Sequence, residues 1–214
     1  TGQVRSAAIR FFAASPQKEI RLEFITPGGK TLKQHSKEAS TMDRISGGGW
    51  DIVVLQDQSQ TPAIFPEKFL SASKGLNKVI TGSGARTAYY QTWGRRDGDR
   101  QNPGLFGTYT KMQDALSQSY AQAAKRDKAI LIPVGEAWRA VRKNNDKLGR
   151  ELYKGDGSHP SAKGAYLAAC CLYAALTGGD PRQVKFDGGL PAAQARALRE
   201  ISRQVLAGSV PAGS

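Results

Sequence analysis

Cysteine is scarce in this sequence, and long apolar runs are missing. The only two cysteines among the 214 residues are adjacent, at Cys170 and Cys171. This excludes a disulfide-stapled scaffold and a structural zinc held by cysteines. The longest apolar run, residues 165–176, has twelve residues, whereas a membrane-spanning helix needs about 18. We therefore predict a globular chain without a membrane span.

Acidic residues are few relative to basic ones. The 31 lysines and arginines outnumber the 18 acidic residues, which gives a net charge of +13. A basic chain suggests nucleic-acid binding, but the charge is spread evenly, with +6 in residues 1–107 and +7 in residues 108–214. No five like charges follow one another, so a mixed basic surface is favoured. We predict no nucleic-acid partner, and nucleic-acid binding stays as an alternative supported by charge alone.

Strand-like and helix-like segments alternate along the chain. The predicted strands are residues 18–26, 51–56, 86–92 and 128–134. The predicted helices are residues 2–14, 66–80, 135–144, 160–176 and 191–207, with a further apolar helical face from Phe106 to Ala123. Such alternation with short links indicates a parallel sheet covered on both faces. We predict an α/β fold, a three-layer α/β/α sandwich, as a single domain over residues 1–214.

The chain opens in a helical pattern, although the first strand of such a fold normally precedes the first helix. We therefore expect the first strand to lie outside these 214 residues. The run at 51–56 (DIVVLQ) is rich in β-branched residues, as expected for a strand buried on both faces. In open parallel sheets ligands collect at the carboxyl ends of the strands, so the loops that follow the strands are the candidate site.

Histidine, the usual base for hydrolysis near neutral pH, occurs only at His35 and His159. His159 follows Asp156 by three residues across Gly157, a spacing that lets the carboxylate accept from Nδ1–H and leaves Nε2 as a proton acceptor. The alternative is that Asp156 and Ser158 only cap a turn and His159 is a surface residue. His35 fits a structural role better. No carboxylate–histidine cluster has metal spacing, so we expect no metal and no cofactor.

Residues 156–160 (DGSHP), followed by an alanine-rich helix, resemble the last conserved block of the SGNH (GDSL-type) hydrolases. Residues 27–32 (PGGKTL) look like the second block, and residues 51–59 (DIVVLQDQS) look like the third. Residues 90–93 are similar to the strand end that lies between the third and last blocks. The blocks occur in order over roughly residues 15–180, which makes the resemblance more specific than any one motif.

The resemblance implies a flavodoxin-like sandwich and an esterase of the Ser–His–Asp type. His159 would be the general base and later the acid, and Asp156 would orient it. Gly29 would donate its backbone N–H to the oxyanion, next to Gly28, where a plain tight turn is the alternative. Gln58 stands where the family often has an asparagine that donates to the same oxyanion, and a simple polar loop residue is the alternative there.

One block of the family is missing from the sequence. The first block, a strand ending in Gly-Asp-Ser or Gly-Asn-Ser, carries the nucleophile, and we expect it just ahead of Thr1. Thr1 itself, using its own amine as base, is a less favoured alternative. Ser59 and Ser158 do not lie on a strand-to-helix elbow, so no serine of this chain is assigned the role.

The resulting hypothesis is a serine esterase that cleaves a small acyl ester, such as an O-acetyl group on a carbohydrate. Trp93 and Arg95 are weak substrate-binding candidates, because an aromatic ring beside an arginine suits a sugar or an anionic group. A solvated loop with one buried tryptophan is the alternative. A non-catalytic binding module on the same fold is the alternative function. The family resemblance favours a secreted or periplasmic location.

Overall fold

A computed structural model describes residues 2–16 and 20–209 of the chain. Its sheet has three strands, β1 (Ile52–Leu55), β2 (Arg86–Tyr90) and β3 (Ile130–Ile132), in the order β1-β2-β3. Both pairings are parallel, with Val54 opposite Ala88 and Tyr89 opposite Leu131. Parallel pairing brings the carboxyl ends of all three strands to one edge, and the loops that leave this edge are the candidate site.

Eleven α-helices lie within the described residues. They are α1 (Gly2–Ala13), α2 (Leu32–His35), α3 (Ala39–Ser46), α4 (Thr61–Ile64), α5 (Pro66–Gly82), α6 (Pro103–Phe106), α7 (Tyr109–Asp127), α8 (Val134–Asn144), α9 (Asp146–Glu151), α10 (Ala162–Thr177) and α11 (Ala192–Ser209). A short 3₁₀ helix covers Pro181–Gln183. None of the helices in the described ranges is long and apolar enough to cross a membrane.

The sheet separates two apolar cores. In β2, Ala88 and Tyr90 pack into a core with α1, α8, α10 and α11. Tyr89, on the opposite face of the same strand, packs into a second core built mainly from α5 and α7. Alternation of neighbouring side chains between two covered faces is the geometry of a three-layer α/β/α sandwich. The predicted fold class is confirmed.

The two cysteines are part of the apolar core. Cys170 and Cys171 are fully buried free thiols in α10, and burial raises the pKa of both, so they act as small apolar core residues.

Helix α7 ends at Lys128, which adopts the left-handed conformation with φ of 49°. Phe106 belongs to the separate helix α6, because Thr108 caps a new helix by accepting from Lys111 N at 3.3 Å.

The prediction of a strand at residues 18–26 is wrong for the part that the structure describes, since residues 20–26 form no strand. Residues 18 and 19 lie outside the described ranges. The alternation is nevertheless present, because Ile20, Leu22 and Phe24 are half-buried against the core while their neighbours are exposed. Side chains hold the segment instead, with Arg44 Nε donating to Glu23 Oε1 at 2.6 Å. A two-residue period identifies the buried face of a segment but supplies no hydrogen-bonded neighbour.

Strand β1 is present, but its predicted burial on both faces is wrong. Val54 is 37% exposed, and Ile52 and Val53 are only half-buried. Strand β1 pairs with β2 on one side, and among the described residues no strand pairs with its other side. An unpaired edge leaves backbone N–H and C=O groups without ladder partners.

Candidate functional site

The turn formed by residues 156–160 lies between α9 and α10 and is closed by main-chain hydrogen bonds. Lys154 N donates to the carbonyl of His159 at 2.8 Å, and Gly157 N donates to the carbonyl of Lys154 at 3.0 Å. Gly157 has φ of +66°, a left-handed conformation that glycine adopts without steric cost. The glycine therefore permits the tight path that returns His159 towards Asp156.

Asp156 and His159 are in direct contact. Asp156 Oδ1 accepts from the backbone N–H groups of Ser158 at 2.8 Å and His159 at 2.9 Å, and Oδ2 lies 2.7 Å from His159 Nδ1. These two backbone bonds, followed by the ring contact, lower the pKa of Asp156 from 3.8 to about 2. The carboxylate therefore stays ionised and favours a proton on Nδ1, which leaves Nε2 free to accept one. The His159 side chain is 61% exposed, so that nitrogen is accessible.

A pair of stacked tryptophans supports this turn. Trp93 Nε1 donates to the carbonyl of Ser158 at 3.0 Å. The ring of Trp93 lies flat on the buried ring of Trp138, with centroids 4.0 Å apart and an angle of 3° between the planes. Arg96 N adds a hydrogen bond of 2.8 Å to the carbonyl of Gly157. The loop after β2 therefore holds the 156–160 turn at two successive carbonyls.

Gln58 follows β1 and is engaged with its own loop. Its Oε1 accepts from Gln60 N at 2.8 Å and from Thr61 N at 3.1 Å, next to the start of α4. Its Nε2 donates to Gln60 Oε1 at 3.2 Å. A side-chain amide has two N–H donors, so one hydrogen of Nε2 remains for another acceptor. These contacts fix the position of the amide.

Gly28 and Gly29 form the turn before α2, and both are exposed. Gly29 has φ of +72°, and a Cβ placed on it would meet nothing within 4 Å. Glycine is therefore favoured here by the positive φ of the backbone, and not by crowding from neighbouring atoms. Thr31 then starts α2 through a capping box with Gln34.

Asp57, which the sequence analysis did not single out, joins these two loops. It is 2% exposed, and its Oδ1 accepts from Leu32 N at 3.3 Å and from Gln58 N at 2.7 Å. One carboxylate oxygen thus fixes the loop of Gly29 to the loop of Gln58. The sequence does contain one indication of this role, because Asp57 directly follows a predicted strand, at the carboxyl edge of the sheet where ligands collect.

A second buried carboxylate, Asp99, links the Gln58 loop to the loop after β2. Asp99 is 1% exposed, and it accepts from Gln60 Nε2 at 2.8 Å and from Arg95 at 2.8 Å. Arg95 and Trp93 are therefore both engaged in intramolecular contacts, and a role of either in substrate binding stays a prediction. His35, on α2, lies 3.4 Å from Thr41 Oγ1, and burial lowers its pKa, which agrees with a structural role.

These contacts connect the loops that carry the predicted site residues. Asp156 and His159 touch directly, Asp57 joins the loops of Gly29 and Gln58, and the loop after β2 connects them to the 156–160 turn. The catalytic roles of these residues stay predictions. Within residues 2–16 and 20–209, no three His, Cys, Asp or Glu side chains are grouped as a metal site requires.

We predict that replacing Asp57 with asparagine changes the pH dependence of stability. Burial raises the pKa of Asp57 from 3.8 to about 6, so the folded state holds this proton more tightly than the unfolded state. Its contribution to the free energy of unfolding therefore falls as the pH rises from about 4 to 6. The free energy of unfolding of Asp57→Asn, measured relative to that of the parent chain, should therefore rise by about 2–3 kcal/mol between pH 4 and pH 7. Urea unfolding at both pH values measures this, and a constant difference between the two proteins would contradict it.

The comparisons with known proteins agree with this architecture. No family model matches the chain, and no curated protein matches it in sequence. Among solved structures, a candidate SGNH hydrolase from Slackia heliotrinireducens is 30% identical, with a TM-score of 0.62 over 70% of this chain and 80% of that one. The chain belongs to the SGNH hydrolase family. The family assignment made from the sequence blocks is confirmed.

Two more distant structures share the fold of this SGNH protein. A member of the family designated DUF4886 from Bacteroides uniformis has a TM-score of 0.69 at 17% identity, over 85% of this chain and 81% of that one. TesA has a TM-score of 0.59 at 15% identity, over 83% of this chain and 89% of that one. At these identities the likeness concerns the fold alone.

Proposed function

We propose that this SGNH protein is a serine esterase that removes a small acyl group, such as an O-acetyl group from a carbohydrate. The observation that carries the proposal is the 2.7 Å contact between Asp156 Oδ2 and His159 Nδ1. It prepares the exposed imidazole as a base at the edge of a parallel sheet where ligands collect. The carbohydrate half rests on Trp93, which donates to the Ser158 carbonyl, and on Arg95 in the same loop.

In the proposed reaction, His159 Nε2 takes the proton of a serine hydroxyl as the serine oxygen attacks the ester carbonyl. Gly29 N–H and the free hydrogen of Gln58 Nε2 stabilise the negative charge on the carbonyl oxygen. The tetrahedral intermediate then expels the alcohol, which receives the proton from His159. A water molecule, deprotonated by His159, attacks the acyl-serine, and His159 then returns this proton to the serine oxygen as the acid is released. Asp156 remains ionised throughout and stabilises the transient imidazolium.

The serine would reach this site on an additional strand beside β1. Within the described residues, no serine hydroxyl forms a hydrogen bond with the His159 ring. The free edge of β1 offers unpaired backbone groups, and Val54 on β1 is 37% exposed. A strand beside β1 would pair that edge and cover this side chain. We propose that this strand ends in Gly-Asp-Ser or Gly-Asn-Ser and precedes Thr1, which lies outside the described residues.

Nitrophenyl acetate hydrolysis tests the proposal in two proteins, the product expressed from the gene's own start and the 214-residue chain. We expect turnover by the first and little by the second. In the active protein, Gln58→Glu keeps an oxygen to accept from Gln60 N but removes the Nε2 donor. It also places a carboxylate oxygen against Gln60 Oε1 and a negative charge near the oxyanion, so kcat should fall by at least the about 10–10³-fold that loss of one oxyanion donor costs.

Each other result has a definite meaning. Turnover by the 214-residue chain that is lost on replacing Thr1 would make the N-terminal threonine the nucleophile. A product that has no serine before Thr1 and no turnover would contradict the esterase and favour a binding module on the same fold. An unchanged rate in Gln58→Glu would remove Gln58 from the mechanism.

A further inference from the structure

The orientation of the Gln58 side-chain amide is determined by its neighbours in the loop after β1. Its Oε1 accepts from the backbone N–H groups of Gln60 at 2.8 Å and Thr61 at 3.1 Å. A backbone N–H group can only donate, so the atom of the amide that meets both groups must be the oxygen. The Nε2 group of Gln58 is then the end that donates to Gln60 Oε1, at 3.2 Å.

The side-chain amide of Gln60 is oriented in the same way by a third residue. Its Nε2 donates to Asp99 Oδ2 at 2.8 Å and to Gln101 Oε1 at 2.9 Å. An ionised carboxylate only accepts hydrogen bonds, so Asp99 requires the Nε2 end of Gln60. The Oε1 end of Gln60 is thereby left to face Gln58. Asp99 thus determines the orientation of Gln58 through one intervening amide.

Asp99 is itself firmly held in the loop after β2. Its side chain is fully buried, and its Oδ1 accepts from Arg95 Nη1 at 2.8 Å and from Gln101 N at 3.1 Å. Its Oδ2 accepts from Asn102 Nδ2 at 2.8 Å in addition to Gln60. Burial alone would raise the pKa of Asp99, but the hydrogen bonds from Gln60 and Asn102 outweigh it and hold this pKa below its usual value. The carboxylate therefore stays ionised and remains an acceptor.

We propose that Gln60 and Asp99 are positioning residues that hold the Gln58 amide with its Nε2 end, and not its oxygen, available to the oxyanion. This role rests on the proposed esterase function. Neither Gln60 nor Asp99 needs to touch the substrate, because both act through Gln58. An amide that is free to rotate would present its oxygen to the oxyanion in part of the molecules, and the two oxygens would repel each other. A donor that is oriented in advance stabilises the oxyanion without any reorganisation during the reaction.

The first test removes the Gln60 side chain from the protein that carries the serine strand. Gln60→Ala should lower kcat for nitrophenyl acetate by about tenfold or more, as expected when an oxyanion donor is misplaced. KM should stay within about twofold, since the interaction is made in the transition state. Gln101→Ala is the matched control, because Gln101 accepts from the same Nε2 atom but is exposed. It should keep kcat within about twofold, because Asp99 still orients Gln60.

A second variant, Gln60→Glu, gives a readout that a purely structural role would not change. When protonated, the introduced carboxyl can donate to Asp99 and accept from Gln58, as the Gln60 amide does; when ionised, it can only accept. Burial and the charge of Asp99 raise the pKa of this carboxyl, and Arg95 beside Asp99 opposes the shift. The ratio of its kcat to the parent kcat should therefore be close to one at about pH 5 and should fall about tenfold by about pH 8. The ratio cancels the titration of His159, which both proteins share.

The outcomes separate this role from the esterase activity itself. A parent protein without turnover would contradict the proposed esterase. In an active parent, a kcat for Gln60→Ala within about twofold of the parent value, or equal losses in Gln60→Ala and Gln101→Ala, would overturn the positioning role. A kcat ratio for Gln60→Glu that is constant between about pH 5 and pH 8 would overturn it as well.

Nuclear magnetic resonance tests the orientation without any turnover. Asp99→Asn keeps the shape of the side chain, but its amide can present either end to Gln60. It should therefore move the side-chain Nε2 signals of Gln58, although Asp99 forms no hydrogen bond with Gln58. Gln101→Ala should leave these signals in place. Gln58 signals that are unchanged in Asp99→Asn would show that the carboxylate does not orient the amide.

Discussion

Replacing His159 with alanine should lower kcat for nitrophenyl acetate by about 10⁴-fold in the protein that carries the serine strand. Without the imidazole, no base removes the proton of the serine, and no acid returns a proton to the leaving alcohol. The side chain is 61% exposed, and substitutions at exposed positions change stability by about 0.5 kcal/mol or less. The loss of rate should therefore occur at an unchanged Tm. Steady-state kinetics and thermal unfolding on the same preparation measure both quantities.

The chain provides a matched control in its other histidine. His35 lies on α2, 3.4 Å from Thr41 Oγ1, away from the 156–160 turn in the chain. His35→Gln should leave kcat within a few-fold of the parent value. A rate for His159→Ala within about tenfold of the parent would show that His159 is not the base, whatever its contact with Asp156.

The sequence predicts most elements of the fold because their determinants are local. The apolar spacing of α7 and the short β-branched run of β1 are sufficient to place each element within a few residues. Residues 20–26 differ, because a strand depends on a neighbour distant in sequence. Their alternation correctly separates Ile20, Leu22 and Phe24 from the exposed side chains, yet they form no ladder in the described structure.

The same distinction applies to the candidate site. The contact between Asp156 and His159 spans three residues across a glycine, so spacing alone can predict it. The bond from Gln60 to Asp99 spans 39 residues, and that from Trp93 to Ser158 spans 65. Such contacts depend on the packing of separate loops, and no local pattern indicates them.

The two interpretations of Asp156, as a cap of the turn and as the residue that orients His159, are compatible in the structure. The carboxylate accepts from two backbone N–H groups and also contacts the imidazole. Capping the turn and orienting the ring are therefore one arrangement. The backbone bonds hold the carboxylate in place without any substrate, and the proposed proton transfer needs such preorganisation.

The rigidity of this turn depends on packing behind it, at the start of α10. Gly164 lies in the first turn of that helix, and a Cβ there would be 2.2 Å from the carbonyl oxygen of Leu152 and 2.6 Å from the ring of Trp138. Trp138 is fully buried, and its ring stacks on the ring of Trp93. Trp93 in turn donates a hydrogen bond to the Ser158 carbonyl. A methyl group at this position has no room without moving a backbone or a stacked ring.

We therefore expect Gly164→Ala to lower the free energy of unfolding by about 3 kcal/mol, at the upper end of overpacking costs. For a chain of this length that corresponds to a fall in Tm of about 6–12 °C. Gly75→Ala in the middle of α5 is the matched control, because a Cβ there meets nothing within 4 Å. It should raise Tm slightly, since alanine is more stable than glycine in a helix interior by about 0.5–1 kcal/mol. Thermal unfolding of both variants tests the argument, and a Tm for Gly164→Ala within about 2 °C of the parent would show that the stacked tryptophans are not rigidly held against α10.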